Sequence, residues 1–84
     1  MSTTKLPHRN LKMQEANIGK SLQEAQYRAR MPVERLAEIL GETRQSVYYT
    51  RKQKSIAVHK VQKLAEIFGM SVDDFIQLGV ENEG

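Results

Sequence analysis

The sequence predicts an all-α fold, a compact domain of five helices, on three observations. Apolar residues recur at spacings of three and four along the chain and nowhere alternate as they would in a β-strand. Gly41 and Gly69 stand just past such stretches, where a residue tolerant of left-handed backbone ends a helix. Thr43 and Ser71 stand just ahead of others, where a hydroxyl can accept from the free N–H groups that open a helix. The 84 residues include no cysteine, so one apolar core must hold a single small domain without disulfides or a thiolate metal site.

Residues 1–12 mix Ser, Thr, Pro, His and Asn with Lys5, Arg9 and Lys12, and their apolar content is too low for ordering by burial. They are expected to form a flexible basic N-terminal arm, either a solvated end or a segment that follows a DNA backbone or enters a minor groove. The domain proper is assigned to residues 13–79. Its first helix is expected from about Met13 to Arg30, with Ile18, Leu22, Ala25 and Ala29 on one stripe, flanked by Met13 and Tyr27. Gly19 weakens that helix by roughly 1 kcal/mol relative to alanine, which allows a start nearer Gly19. Arg28 and Arg30 suit its C-terminal end electrostatically.

Pro32 cannot continue a helix but suits the first turn of the next. Val33, Leu36, Ala37 and Leu40 give that second helix a narrow apolar face, and small Ala37 sits where its neighbour must come close. After Gly41 and Glu42 the third helix opens at Thr43. Ser55-Ile56-Ala57 then connects to a fourth helix from about Val58 to Phe68, where Val58, Val61, Leu64, Ala65, Ile67 and Phe68 form a broad apolar face. Ile56 is expected to tuck under the fold. Ser71 caps the fifth helix, Asp73 and Asp74 complement its dipole, and Phe75, Ile76 and Leu78 supply its apolar contacts. Residues 80–84 are read as a frayed acidic tail.

The third helix, 43–52, is the unusual element. Val47 is its one clear inward aliphatic, among Arg44, Gln45, Ser46, Tyr48, Tyr49, Arg51 and Lys52. An amphipathic helix of this length ordinarily carries three or four apolar anchors. The stretch is therefore either a solvated surface helix or a helix built to be touched. Charge is distributed to match the second possibility. All thirteen Lys and Arg fall in residues 1–63, against Glu15, Glu24, Glu34, Glu38 and Glu42, whereas residues 64–84 carry five acids and no base. A basic body with an acidic end fits a polyanion binder.

In order and spacing, residues from about Ile18 to Leu78 resemble the Cro/lambda-repressor-like, XRE-type helix-turn-helix DNA-binding family. Leu36-Ala37-Glu38-Ile39-Leu40-Gly41 resembles its second helix, Thr43-Arg44-Gln45-Ser46-Val47 the start of its recognition helix, and Leu64-Ala65-Glu66-Ile67-Phe68-Gly69-Met70-Ser71-Val72-Asp73-Asp74-Phe75 its last two helices. The resemblance implies base reading by Arg44, Gln45, Ser46 and Tyr49. Arginine can donate twice to guanine and glutamine can pair with adenine. It implies phosphate binding by Thr43, Tyr48, Arg51, Lys52 and Lys54. Three departures stand out. Val33 replaces a common polar phosphate clamp, Arg51 replaces a common Glu and is expected to be free for phosphate, and Tyr48 and Tyr49 are adjacent. Of the two, Tyr48 is the one expected to pack against the fourth helix.

The function expected on these grounds is sequence-specific double-stranded DNA binding, as a cytoplasmic transcriptional regulator of prokaryotic or phage type, most simply a repressor. One short helix reads few base pairs, which favours a homodimer, with Phe75, Ile76 and Leu78 of the C-terminal helix as the candidate self-association surface unless they serve the core. The alternative is a protein-interaction module or antitoxin-like protein on the same fold, suggested by Val33 and the tyrosine pair. An enzyme is disfavoured. No nucleophile, phosphate-loop or metal constellation is present, His8 and His59 lack partners at ligand spacing, and no cofactor or small-molecule substrate is implied. The longest apolar runs are too short for a bilayer and the N-terminus lacks a signal-peptide core, which predicts no membrane association.

Overall fold

The computed structural model describes residues 16–80, which form five helices and no strand beyond an isolated Ala16–Val80 bridge. The helices are α1 (Ile18–Ala29), α2 (Val33–Leu40), α3 (Arg44–Arg51), α4 (Val58–Ile67) and α5 (Val72–Leu78). α1 packs against α3 and α5, α2 against α3, and α4 against α5. Expectations for Met13 and the N-terminal arm lie outside the described residues, as do those for His8 and residues 81–84.

Local chemistry sets most of the boundaries. Asn17 caps α1 by accepting from Lys20 N–H, Thr43 caps α3 from Ser46 N–H at 3.1 Å, and Ser71 caps α5 from Asp74 N–H at 3.0 Å. Gly41 and Gly69 take φ of 72° and 69°, the left-handed endings their positions suggest. α1 ends in the same way on Arg30, with φ 54°. A side chain there costs about 1–2 kcal/mol relative to the right-handed region.

One core runs through all five helices. Leu22, Leu36, Val47, Leu64 and Phe75 are essentially sealed, with Ile18, Ala25, Val33, Ala37, Val61 and Ala65 around them. Ile56 joins from the connector, half-buried against this cluster. Three expectations are corrected. Ala29 does not join the buried stripe of α1 and is exposed in its last turn. Val58 does not belong to the apolar face of α4: at the first turn it is 71% exposed, because the buried stripe begins at Val61. Val80 is not frayed, since it bridges to Ala16 and packs half-buried against the core, next to the bond from Asn17 N–H to the Gly79 carbonyl at 2.8 Å.

Gly19 is where α1 and the end of α3 nearly touch. A Cβ there would stand 2.7 Å from the Gln53 carbonyl oxygen and closer still to that of Arg51. The exposed amides of the first turn of α1 are used in this contact, with Ile18 N–H donating to the Lys54 carbonyl at 2.9 Å and Gly19 N–H to that of Gln53 at 2.7 Å. The start of α1 is thus bonded to the segment that follows α3, which fixes the position of the polar helix.

Candidate functional site

α3 buries only Val47 and Thr50, and the Thr50 hydroxyl is satisfied by the Ser46 carbonyl at 3.1 Å. Arg44, Gln45, Tyr48, Tyr49 and Lys52 are exposed. At 100° per residue these five positions fall within about 140° of arc, so they form one continuous face. That face carries two cations, an amide and two phenols, and no acid. A helix turned by one residue would lose Val47 from the core, so the single aliphatic anchor determines which residues point outward.

Polar contacts hold α3 at both ends. At the N-terminal end, the Ser46 hydroxyl donates to Glu42 Oε1 at 3.0 Å, and Lys60 Nζ of α4 pairs with Glu42 Oε2. The Glu42–Lys60 side chains are about three-quarters buried, at 25% and 24% exposure. Burial pulls the Glu42 carboxyl pKa upward, but the hydrogen bonds from Lys60 and Ser46 and the charges of Lys60 and Lys63 outweigh it. The net result is a pKa below the ordinary 4.5. At the C-terminal end, Arg51 Nη1 donates to Gln26 Oε1 of α1 at 2.6 Å, and the Arg51 carbonyl accepts from Gln23 Nε2 at 3.0 Å. Gln26, itself buried, also donates to the Met31 carbonyl at 3.1 Å, so no buried polar side-chain atom among the described residues is left unpaired.

The sequence-derived residues therefore divide. Arg44, Gln45 and Tyr49 stand together on the open face. Arg44 Nη1 lies 3.5 Å from Glu34 Oε2 at the start of α2, an exposed contact that leaves the rest of its guanidinium fork available. Lys52 and Lys54 are exposed just beyond. Ser46 is half-buried and turned towards Glu42, and Thr43 is occupied as a helix cap. Arg51 does not stand free as expected, because Gln26 holds one of its guanidinium nitrogens in a half-buried position. Tyr48 does not pack away into α4. It is 49% exposed and Tyr49 67%, so both rings belong to the outward face. Val33, by contrast, is a core residue at 8% exposure.

Sequence reasoning missed a second feature. An open groove of about 1170 Å³ follows α1 on the side where Arg51 reaches Gln26, and the exposed Gln23, Tyr27, Arg28 and Arg30 line it. The clue was available in the spacing of Gln23 and Tyr27, which places them on one side of α1. Among the described residues no group of His, Cys, Asp and Glu is arranged to hold a metal, and no helix is long and apolar enough to cross a membrane. Comparison with protein-family models, with curated proteins and with solved structures finds no match in any of the three.

Proposed function

We propose that the protein is a sequence-specific double-stranded DNA-binding regulator of prokaryotic or phage type, in which α2 and α3 act as a helix-turn-helix unit and α3 enters the major groove. The observation that carries this reading is the continuous, acid-free face of Arg44, Gln45, Tyr48, Tyr49 and Lys52 on a helix that keeps only two side chains for the interior. Arg44 is assigned to guanine O6 and N7, Gln45 to adenine N6 and N7, and Tyr49 to a thymine methyl or a sugar. Lys52, Lys54 and Tyr48 are assigned to phosphate. Ser46 and Arg51 serve chiefly to position α3, through Glu42 and Gln26. The resemblance of the 36–47 and 64–75 segments to the lambda-repressor-like family supports the same reading, as does the segregation of base and acid along the chain.

An eight-residue helix reads too few base pairs to find one operator alone, so a homodimer is part of the proposal. Phe75 is fully buried and unavailable to a partner, and Leu78 borders the groove along α1, which leaves the half-buried Ile76 on α5. A second reading, a protein-interaction or antitoxin-like module, rests on the exposed tyrosines, a residue type enriched at protein interfaces.

Selection from a randomised duplex pool at near-physiological salt, with Arg44→Ala in parallel, tests the proposal. A motif that loses its preference at one base pair in the variant, with affinity reduced by about 1–3 kcal/mol, is the expected result. Equal weakening on every sequence would remove Arg44 from base reading. No enrichment by a folded wild-type protein would favour the protein-interaction reading.

A further inference from the structure

The groove along α1 has a definite relation to α3. It includes Arg51, the last residue of α3, and extends past Arg30 to Pro32 and Val33. The groove thus lies beside the C-terminal end of α3, where α1 and α3 are in direct contact through Gly19 and the Gln23–Arg51 and Arg51–Gln26 bonds. Packed helices lie about 8–10 Å apart, comparable to the distance from a helix seated in a major groove about 12 Å wide to the strand that borders it.

The lining has the chemistry of a phosphate track. Arg28, Arg30 and Arg51 face one acid, Glu24, and Gln23 and Tyr27 add amide and phenol donors. Tyr27 is 79% exposed, the most open large hydrophobic side chain among the described residues, on a helix whose opposite stripe of Ile18, Leu22 and Ala25 is buried in the core. Arginine, glutamine and tyrosine are among the side chains that bond phosphate and sugar in protein–DNA complexes. Glu24 and Arg28 pair at 2.9 Å, but both are well exposed, and a surface pair of this kind exchanges readily for another anion.

We propose that this groove is a second DNA contact: it takes the sugar–phosphate strand bordering the major groove that α3 occupies, with Arg28, Arg30 and Tyr27 as the phosphate and sugar ligands. The proposal rests on the reading of α3 given above and adds a surface on α1 that contributes affinity without sequence preference. An acidic protein segment is the competing occupant. Phosphate is favoured because three arginines line the groove against one acid, and Arg51 joins it to the C-terminal end of α3 next to the exposed Lys52 and Lys54.

The test measures binding to a mixed-sequence fluorescent duplex across a salt series from about 50 to about 200 mM. The proteins compared are wild type, an Arg28→Gln/Arg30→Asn double variant, Glu24→Gln and Arg44→Ala. Asparagine tolerates the left-handed backbone at position 30, and circular dichroism checks that each variant is folded. Each phosphate contact contributes about 0.9 to the slope of log K on log salt, so the double variant should lower it by nearly two units and bind ~10-fold or more weakly at 0.1 M salt. Its ranking of sequences in the duplex selection should stay that of wild type, and Glu24→Gln should bind a few-fold more tightly. An unchanged slope in the double variant, with wild type binding and Arg44→Ala altering the motif, would overturn the groove proposal and leave the α3 reading intact. The same unchanged slope with loss of binding to a poly-glutamate peptide would assign the groove to an acidic segment instead. Wild-type protein that shows no salt-dependent duplex binding would overturn both.

Discussion

α3 and α5 are of nearly equal length, eight and seven residues, yet they are held in opposite ways. α5 is anchored by area: Phe75 is the largest fully buried side chain of the described residues, and Ile76 and Leu78 pack around it against the core. α3 has little apolar area to offer. It is fixed instead by directed polar contacts at its two ends, Ser46–Glu42–Lys60 at one and Arg51–Gln26 with Gln23 at the other. Apolar burial is non-directional and sets chiefly which face of an element turns inward, as Val47 does for α3. Hydrogen bonds and ion pairs fix position and rotation. A helix whose outer side chains must stay available for a partner gains from the second kind of anchorage.

The largest expected effect in this comparison is at Phe75. Phe75→Ala removes the main apolar anchor of α5 and should cost about 3–5 kcal/mol, read as a lowered urea midpoint with loss of the whole domain in one transition. A cost below about 1 kcal/mol would mean that α5 is not held by burial and would remove the contrast with α3.

Gly19→Ala comes next. On helix propensity alone the substitution gains about 1 kcal/mol. The added methyl, however, would meet the Arg51 and Gln53 carbonyls, which are backbone atoms at the end of α3 and cannot rotate away. Overpacking of this kind costs about 1–3 kcal/mol, so net destabilisation is expected in the same urea titration, with weakened amide protection of Ile18 and Gly19 in hydrogen exchange. A stabilised variant would show that α1 and α3 are not in close contact there.

These two positions also mark how far the sequence could be read. Phe75, Leu64 and Val47 were legible as core, and Thr43, Ser71, Gly41 and Gly69 as helix punctuation, because each signal lies within a few residues of its effect. Gly19 read only as a weak spot in a helix. Its role depends on carbonyls more than 30 residues away, and no local pattern encodes that approach. Arg30 gave no sign of left-handed backbone, because an arginine carries none of the signal that a glycine gives at such a position. Val58 fits the α4 stripe by character, but nothing packs over the first turn of α4 where it stands. In the candidate site, the openness of Arg44, Gln45 and Tyr49 was legible from the scarcity of apolar residues around them. The diversion of Ser46 to Glu42 and of Arg51 to Gln26 was not, because both partners lie outside the helix.

The smallest effect, and the most direct probe of polar anchorage, is at Glu42. Its native pKa lies below the ordinary 4.5, so the charged form is favoured by folding. The stability it contributes is therefore fully present above that ordinary value and lost as pH falls through the depressed native one. Glu42→Gln keeps the shape and a hydrogen-bonding oxygen for Ser46 but removes the charge that faces Lys60. With both side chains about a quarter exposed, the loss at neutral pH should be about 1 kcal/mol, between that of a surface pair and a buried one. Urea midpoints of wild type and variant, followed from neutral pH downward, should differ by a constant amount and then converge once wild-type Glu42 takes up its proton. Subtracting one curve from the other cancels the carboxylates the two proteins share, so the convergence reports Glu42 alone. A difference that persisted unchanged to acid pH would mean that shape and hydrogen bonding, and not charge, hold the start of α3. The two ends of the helix would then be fastened alike, each through uncharged acceptors on its neighbours.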